Sequence, residues 1–198
     1  VTAKGLSERE VPADVAIWPV VFTLADNDLE ALVSAVERQT RTVVAFLEDN
    51  GFDASEISAN PPAITDKQAQ NYGGNSVRFR YLAQTTVTVY SDNIDAVLKA
   101  RAGMLALGKA GVTVTQDGYL AQTQFLFQGL NDLKPAMIEE ATRNARTVAE
   151  KFAADSGSAL GKIRKARQGQ FSISDRDSTT PHLKKVRVVS TLEYYLAD

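Results

Sequence analysis

Apolar positions along the chain switch between a two-residue and a three-to-four-residue period, and these switches mark out the elements. Residues 1 to 9 are mixed and close on the charged cluster Ser7-Glu8-Arg9-Glu10 before Pro12. From Ala13 to Leu24 both alternating faces are apolar, Val15, Ile17 and Val21 against Trp18, Val20, Phe22 and Leu24, which predicts a well-covered strand. Pro19 lacks a donor and argues for an edge or a bulge there. The first two segments are expected to pair as a hairpin. Asn27, with Glu30 three residues on, reads as a helix cap. The stripe of Leu29, Leu32, Val33, Val36, Thr40, Val43, Val44 and Leu47 then predicts a helix laid on a sheet, closed by Asn50-Gly51.

A short strand is expected near Glu56 to Ala59, followed by a polar, turn-rich segment from Asn60 to Ser76 with Pro61-Pro62, Tyr72 and Gly73-Gly74. Val77 to Val89 alternates strictly and predicts a long antiparallel strand with one wet face. Asp92 or Asn93 opens a second helix, Ile94, Val97, Leu98, Met104 and Leu105 inward, weakened by Gly103 and Gly108 and ended by Gly111. Alternation resumes from Val112 to Phe127, broken at Asp117-Gly118. A third helix runs from Asn131, with Pro135 in its first turn and Met137, Ala141, Ala145, Val148, Ala149 and Phe152 as its inner face, to Gly157 and Gly161. A strand from Lys162 to Ile173, a polar loop from Ser174 to Pro181 and a strand carrying Val186, Val188, Leu192, Tyr194 and Leu196 complete the chain.

Two of the helices look like copies. Asn27-Asp28-Leu29 recurs at Asn131-Asp132-Leu133, Arg41-Thr42-Val43 at Arg146-Thr147-Val148, and Gly51 at Gly157, at offsets of 104, 105 and 106 residues. Val77-Arg78 recurs at Val186-Arg187, 109 residues on. The elements therefore predict an α+β fold, antiparallel sheets with three helices packed on them, built on a duplicated strand-helix-strand-strand unit. We read residues 1–198 as a single domain with pseudo-repeats near 12–91 and 112–196 joined by the helix 93–110.

With 198 residues, 44% of them hydrophobic, the chain can bury a substantial core. A net charge of -2 gives no whole-chain attraction to nucleic acid or anionic lipid. No apolar run approaches the roughly 18 residues of a membrane span. The absence of cysteine excludes disulfides, thiolate metal sites and cysteine nucleophiles. The chain opens directly in strand-like sequence, which we read as a trimmed or mature form that has lost any export signal or anchor.

Several stretches together resemble the SIMPL domain family: Val1-Thr2-Ala3-Lys4-Gly5 followed by Glu10-Val11-Pro12-Ala13-Asp14-Val15-Ala16, the alanine-rich helix Glu140 to Ala154 ending in Ser156-Gly157, then Leu160-Gly161-Lys162-Ile163, and the terminal Val186-Arg187-Val188. The resemblance covers nearly the whole chain. It implies an exported bacterial protein, periplasmic or tethered to the envelope, with an α+β fold. Members are associated with oxidative-stress defence or described as envelope antigens, and some form ring-like or channel-like homo-oligomers. The family has no agreed catalytic motif, so the resemblance assigns no site residue and no cofactor, and we expect a non-enzymatic protein that self-associates.

Read from the residues alone, two stretches stand out. Between Lys162 and Arg187 eight basic residues face only two carboxylates. If the strands pair, Lys162 and Arg164 share a face with Lys185 and Arg187, and together with Lys165, Arg167 and Lys184 they form an interaction surface for an acidic protein or a neighbouring subunit. Nucleic acid is not expected, because Phe171 is the only ring nearby on the first strand. The second stretch is the loop Ser174 to His182. Asp175, Asp177 and His182, the single histidine, are there the elements of a nucleophile, base and orienting-acid set or a small-ligand site. Ser, Asp and Thr are also what any turn is made of. Asp175 and Asp177 alone supply too few oxygens for a hard cation, and no metal or cofactor is expected. Membrane contact is expected only through an N-terminal signal or anchor.

Overall fold

The computed structural model describes residues 1–70, 78–116 and 118–197. In chain order the elements are β1 (Thr2–Pro12), β2 (Val15–Asp26), α1 (Leu29–Asp49), β3 (Ile57–Ala59), β4 (Ala63–Asp66), α2 (Lys67–Gln70), β5 (Tyr81–Ser91), α3 (Ile94–Ala102), α4 (Leu105–Lys109), β6 (Val114–Thr115), β7 (Gln124–Leu126), α5 (Leu130–Asp155), β8 (Ala159–Gln168), β9 (Ser172–Asp175) and β10 (Leu183–Ala197). The expected α+β class holds, with two antiparallel sheets. The chain divides into two compact units, one of Val1–Asp14 with Leu126–Asp198 and one of Val15–Phe125.

In the first unit β10 is central, with β1 on one side and, on the other, β8 and β9 each paired directly to a different stretch of it. Its alternation decides which face is covered: Val186, Val188, Leu192 and Tyr194 are buried toward α5, and the odd-numbered residues face away. The helix answers with Met137, Ala141, Ala145, Ala149 and Ala153, one residue every turn, all buried. This small-residue stripe lets α5 settle onto β1, whose inner face is likewise small: Ala3, Gly5 and Ser7. A Cβ on Gly5 would run into the Ala141 carbonyl oxygen and the Ala145 nitrogen, and would stand 2.9 Å from the Ala145 Cα.

In the second unit β2 and β5 pair from Ala16↔Ser91 to Asp26↔Tyr81. β3 and β4 lie beyond β5, and β6 and β7 beyond β2. Strand β2 is buried on both faces, as its doubly apolar pattern requires, and Leu32, Val36, Val43 and Leu47 of α1 are buried with it. Trp18 meets Phe52 edge-on at 6.3 Å, a ring pair worth roughly 0.5–1.5 kcal/mol beyond its burial. The two units repeat one arrangement: a helix (α1, α5) leads to an interrupted edge strand (β3/β4, β8/β9) that pairs with a long central strand (β5, β10). The strand on the far side of the central one is β2 in one unit and β1 in the other.

Several expectations are corrected. The opening segments do not form a hairpin. β1 pairs with β10 from Thr2↔Glu193 to Pro12↔Leu183, because its small inner face suits the alanines of α5, while the bulky β2 is covered elsewhere. Between the two strands Asp14 accepts hydrogen bonds from the Gln128 and Gly129 amides, and its own amide donates to Leu126. Pro19 sits in an inner strand, outside the stretch paired with β6, which reaches only Val21 and Phe22. Helix α1 is capped by Asp28, which accepts from the Ala31 amide, whereas Asn27 accepts from the Arg80 amide. Part of the turn-rich segment is ordered as β4 and α2. The helix expected over 93–110 breaks at Gly103, leaving Leu105 81% exposed and Leu107 inward. The described residues of 112–127 form the short β6 and β7 around a 3₁₀ turn. Pro135 lies past the first turn of α5, and Val148 and Phe152 sit beside the inner stripe, exposed. Tyr72, Gly73, Gly74, Val77 and Asp117 lie outside the described residues.

The contact at Gly5 gives a direct test. Gly5→Ala should destabilise by about 2 kcal/mol or more through overpacking. Gly108→Ala, where nothing lies within 4 Å of the added carbon, should be neutral or stabilising by about 0.4–1 kcal/mol. Denaturant midpoints of the two variants check both signs.

Candidate functional site

The polar loop is held by Asp177. Its carboxylate accepts from the Thr179 amide at 2.9 Å, the Thr180 amide at 2.8 Å, the Thr179 hydroxyl at 2.7 Å and Arg176 Nε at 2.9 Å, and from the Thr180 hydroxyl as well. The Thr180 and Thr179 hydroxyls, with Arg176, hold the Asp177 carboxyl far below the usual carboxylate range. Arg176 also donates to the Thr180 hydroxyl at 2.9 Å and lies 4.0 Å from Glu10. His182 contributes its carbonyl, which accepts from the Ala13 amide at 2.8 Å. Asp175 is paired with Lys184 across the β9–β10 ladder. Both carboxylates expected to serve chemistry are thus committed to holding the turn and the ladder. An acid so depressed is a poor proton donor or acceptor near neutral pH.

The basic strands are arranged differently from the expected shared face. β8 runs against Ser190–Ala197, and β9 against Lys184–Arg187, so Lys162 and Arg164 do not come opposite Lys185 and Arg187. Lys184 points to the α5 side and is 7% exposed, which removes it from any surface. Lys185 and Arg187 meet Glu8 at 3.6 and 3.9 Å, and Arg164 meets Glu193 at 3.8 Å. Such exposed pairs contribute about 0–1 kcal/mol each, so they offset charge more than they stabilise. The carboxylates that face the basic strands were missed because β1 is distant in sequence. Their signal was present, since Glu8 and Glu10, two residues apart, match the spacing of Lys185 and Arg187.

What remains available is the upper outer face of the β1–β10–β8 sheet. The registers align Lys4, Thr191 and Arg167 in one row and Thr2, Glu193 and Lys165 in the next. Thr2, Lys165, Arg167, Thr191 and Glu193 line a shallow cleft of about 180 Å³ there. It is open, with two cations against the one carboxylate of Glu193, suited to an acidic segment more than to a reacting small molecule. In the other unit, Arg101 lies 6.0 Å over the Phe125 ring beside a recess of about 80 Å³, and burial lowers its pKa. Among the described residues no group of three or more His, Cys, Asp or Glu is placed to hold a metal ion.

The SIMPL family model, described as a protein of unknown function (DUF541), matches residues 1–190. None of the curated proteins compared with the chain matches it.

The depressed acid in the loop sets a pH dependence. A carboxylate whose folded pKa lies below its unfolded value, near 4, contributes stability that is present above that value and lost as pH falls toward the folded one. Thermal melts should therefore show the wild type ahead of Asp177→Asn by a steady margin between pH 5 and 8, narrowing below about pH 4. A margin that widens on acidification would contradict the assignment.

Proposed function

Because the chain belongs to the SIMPL family, we propose that it acts as a non-enzymatic, exported protein of the bacterial envelope whose working form is a homo-oligomeric scaffold or channel-like assembly. The observation that carries this reading is β8. Lys162 to Gln168 are exposed at every position although the strand is paired with β10. A strand wet on both faces gains little from burial, and its order rests on one ladder of backbone hydrogen bonds. Such an element is accounted for if a neighbouring subunit covers it.

Support for the non-enzymatic part comes from the polar loop, where Asp175 and Asp177 are consumed by structural hydrogen bonds and ion pairs. The cationic cleft fits an acidic protein segment, either from another subunit or from a partner. Nucleic acid is not part of the proposal, since no row of rings accompanies the charges. Export and periplasmic location are taken from the family resemblance. Among the described residues no helix is long and apolar enough to cross a membrane, and the reading needs none within this chain. A part in oxidative-stress defence belongs to the same proposal.

Light scattering at tens of micromolar should give a mass that is a multiple of the 21.5 kDa chain. A strict monomer would remove the basis of the assembly reading. If a substrate screen turned up an activity, Asp177→Ala combined with His182→Ala should leave its rate unchanged; abolition would point back to the loop as a site.

A further inference from the structure

The two edges of the first unit's sheet are unlike, and each carries what the other lacks. Val1 and Tyr194 exchange both backbone hydrogen bonds, so the odd-numbered residues of β1 face β10 and the even-numbered ones, Thr2 to Glu10, turn their N–H and C=O groups to the open edge. Asn144 of α5 reaches over that edge and donates to the Leu6 carbonyl at 2.8 Å. One and two turns further along the same side of the helix stand Val148 and Phe152, 39% and 57% exposed. With Thr147, Lys151 and Asp155 they line an apolar hollow of about 380 Å³. Apart from the Leu6 carbonyl, the outward backbone groups of β1 have no partner among the described residues, and the edge is overhung by an apolar shelf, with the carboxylates of Glu8 and Glu10 on its other face.

At the opposite edge, Gly169 donates to the Val189 carbonyl, which fixes the alternation there: Arg167 and Lys165 bond to β10, while Ala166 and Gln168 turn their backbone groups outward. The α5-side face of β8 carries Leu160 and Ile163, the latter 51% exposed. Its outer face carries Lys165 and Arg167, two residues apart like Glu8 and Glu10.

We propose that these edges join head to tail: β8 of one copy adds as a strand to β1 of the next, its Leu160 and Ile163 beneath the Val148–Phe152 shelf and its Lys165 and Arg167 beside Glu8 and Glu10. Both strands run antiparallel to β10, so a copy continuing the sheet in its own plane presents β8 parallel to β1. Glu8 and Glu10 hold their present partners only at 3.6–4.0 Å and keep exposed oxygens for new ones. The bulges and cations of β8 are devices by which edge strands avoid indiscriminate pairing. They confine β8 to an edge that bears carboxylates, which β1 does. Because the joined surfaces differ, the contact is heterologous, and repetition closes a ring or extends a chain of subunits and does not stop at a dimer.

The inference rests on the self-association reading, and the test separates the two. Two one-sided variants are made at exposed positions: Val148→Asp with Phe152→Asp, which spoils the β1 edge, and Ile163→Asp with Arg167→Glu, which spoils β8. Their sizes are measured by light scattering alongside the wild type, with thermal melts to confirm folding. The expected result is a wild type larger than a dimer, each variant monomeric, and an equimolar mixture of the two forming a 1:1 dimer and nothing larger, since one good edge of each kind remains. A monomeric wild type overturns the self-association reading itself. An assembled wild type whose variants keep its size, a wild type that stops at a dimer, or a mixture that stays monomeric overturns this interface alone. If either aspartate variant melts early, Phe152→Ser and Ile163→Ser replace them, each expected to shift assembly to at least tenfold higher concentration; no shift in either counts against the interface.

Discussion

The seating of α5 on β1 is the contact on which the first unit depends. Five small or flexible side chains, Met137, Ala141, Ala145, Ala149 and Ala153, bring the helix backbone to within touching distance of the strand, and Gly5 is the residue that admits it. The consequences run outward from there. Because α5 covers the inner faces of β1 and β10, it leaves β8 with little cover. Because it crosses the edge of β1, it places Asn144, Val148 and Phe152 where an incoming strand would meet them. One close approach thus sets the stability of the unit and shapes both of its edges.

Long, strongly periodic elements were legible in the residues. The stripe of α1, the alanine face of α5, the two-faced burial of β2 and the alternation of β5 and β10 all follow from local patterns that tertiary packing reinforced. So were the matching ends of the paired helices at Gly51 and Gly157, both with positive φ. The α+β class came from the same signals, whereas the family resemblance was carried by particular stretches such as Val1–Gly5, Glu10–Ala16 and Leu160–Ile163. What was not legible was pairing across the chain. Nothing local to Thr2–Pro12 says that its partner is Leu183–Glu193, near the other terminus. A hairpin is the ordinary expectation for adjacent strands, but the small inner face of β1 fits an alanine helix better than it fits Trp18 and Phe22.

The same gap explains the site. Counting charges between Lys162 and Arg187 gave an excess that the fold largely disperses: Lys184 is buried against Asp175, and Glu8 and Glu193 stand beside Lys185, Arg187 and Arg164. Charge on a strand is a property of the sheet it joins, and register decides which charges meet. The polar loop shows the complementary lesson. Its Asp, Thr and Arg residues have the composition of a reactive cluster, and their geometry is that of a turn satisfying its own hydrogen bonds.

The central claim is that β8 is exposed in the single chain because another copy covers it, and its outward-facing amides report on this directly. Hydrogen exchange at Ala166 and Gln168 should be fast at nanomolar protein and strongly slowed at tens of micromolar, where subunits pair edge to edge, while the amides of Lys165 and Arg167, bonded to β10, change far less. Fast exchange at Ala166 and Gln168 across the whole concentration range would contradict the account.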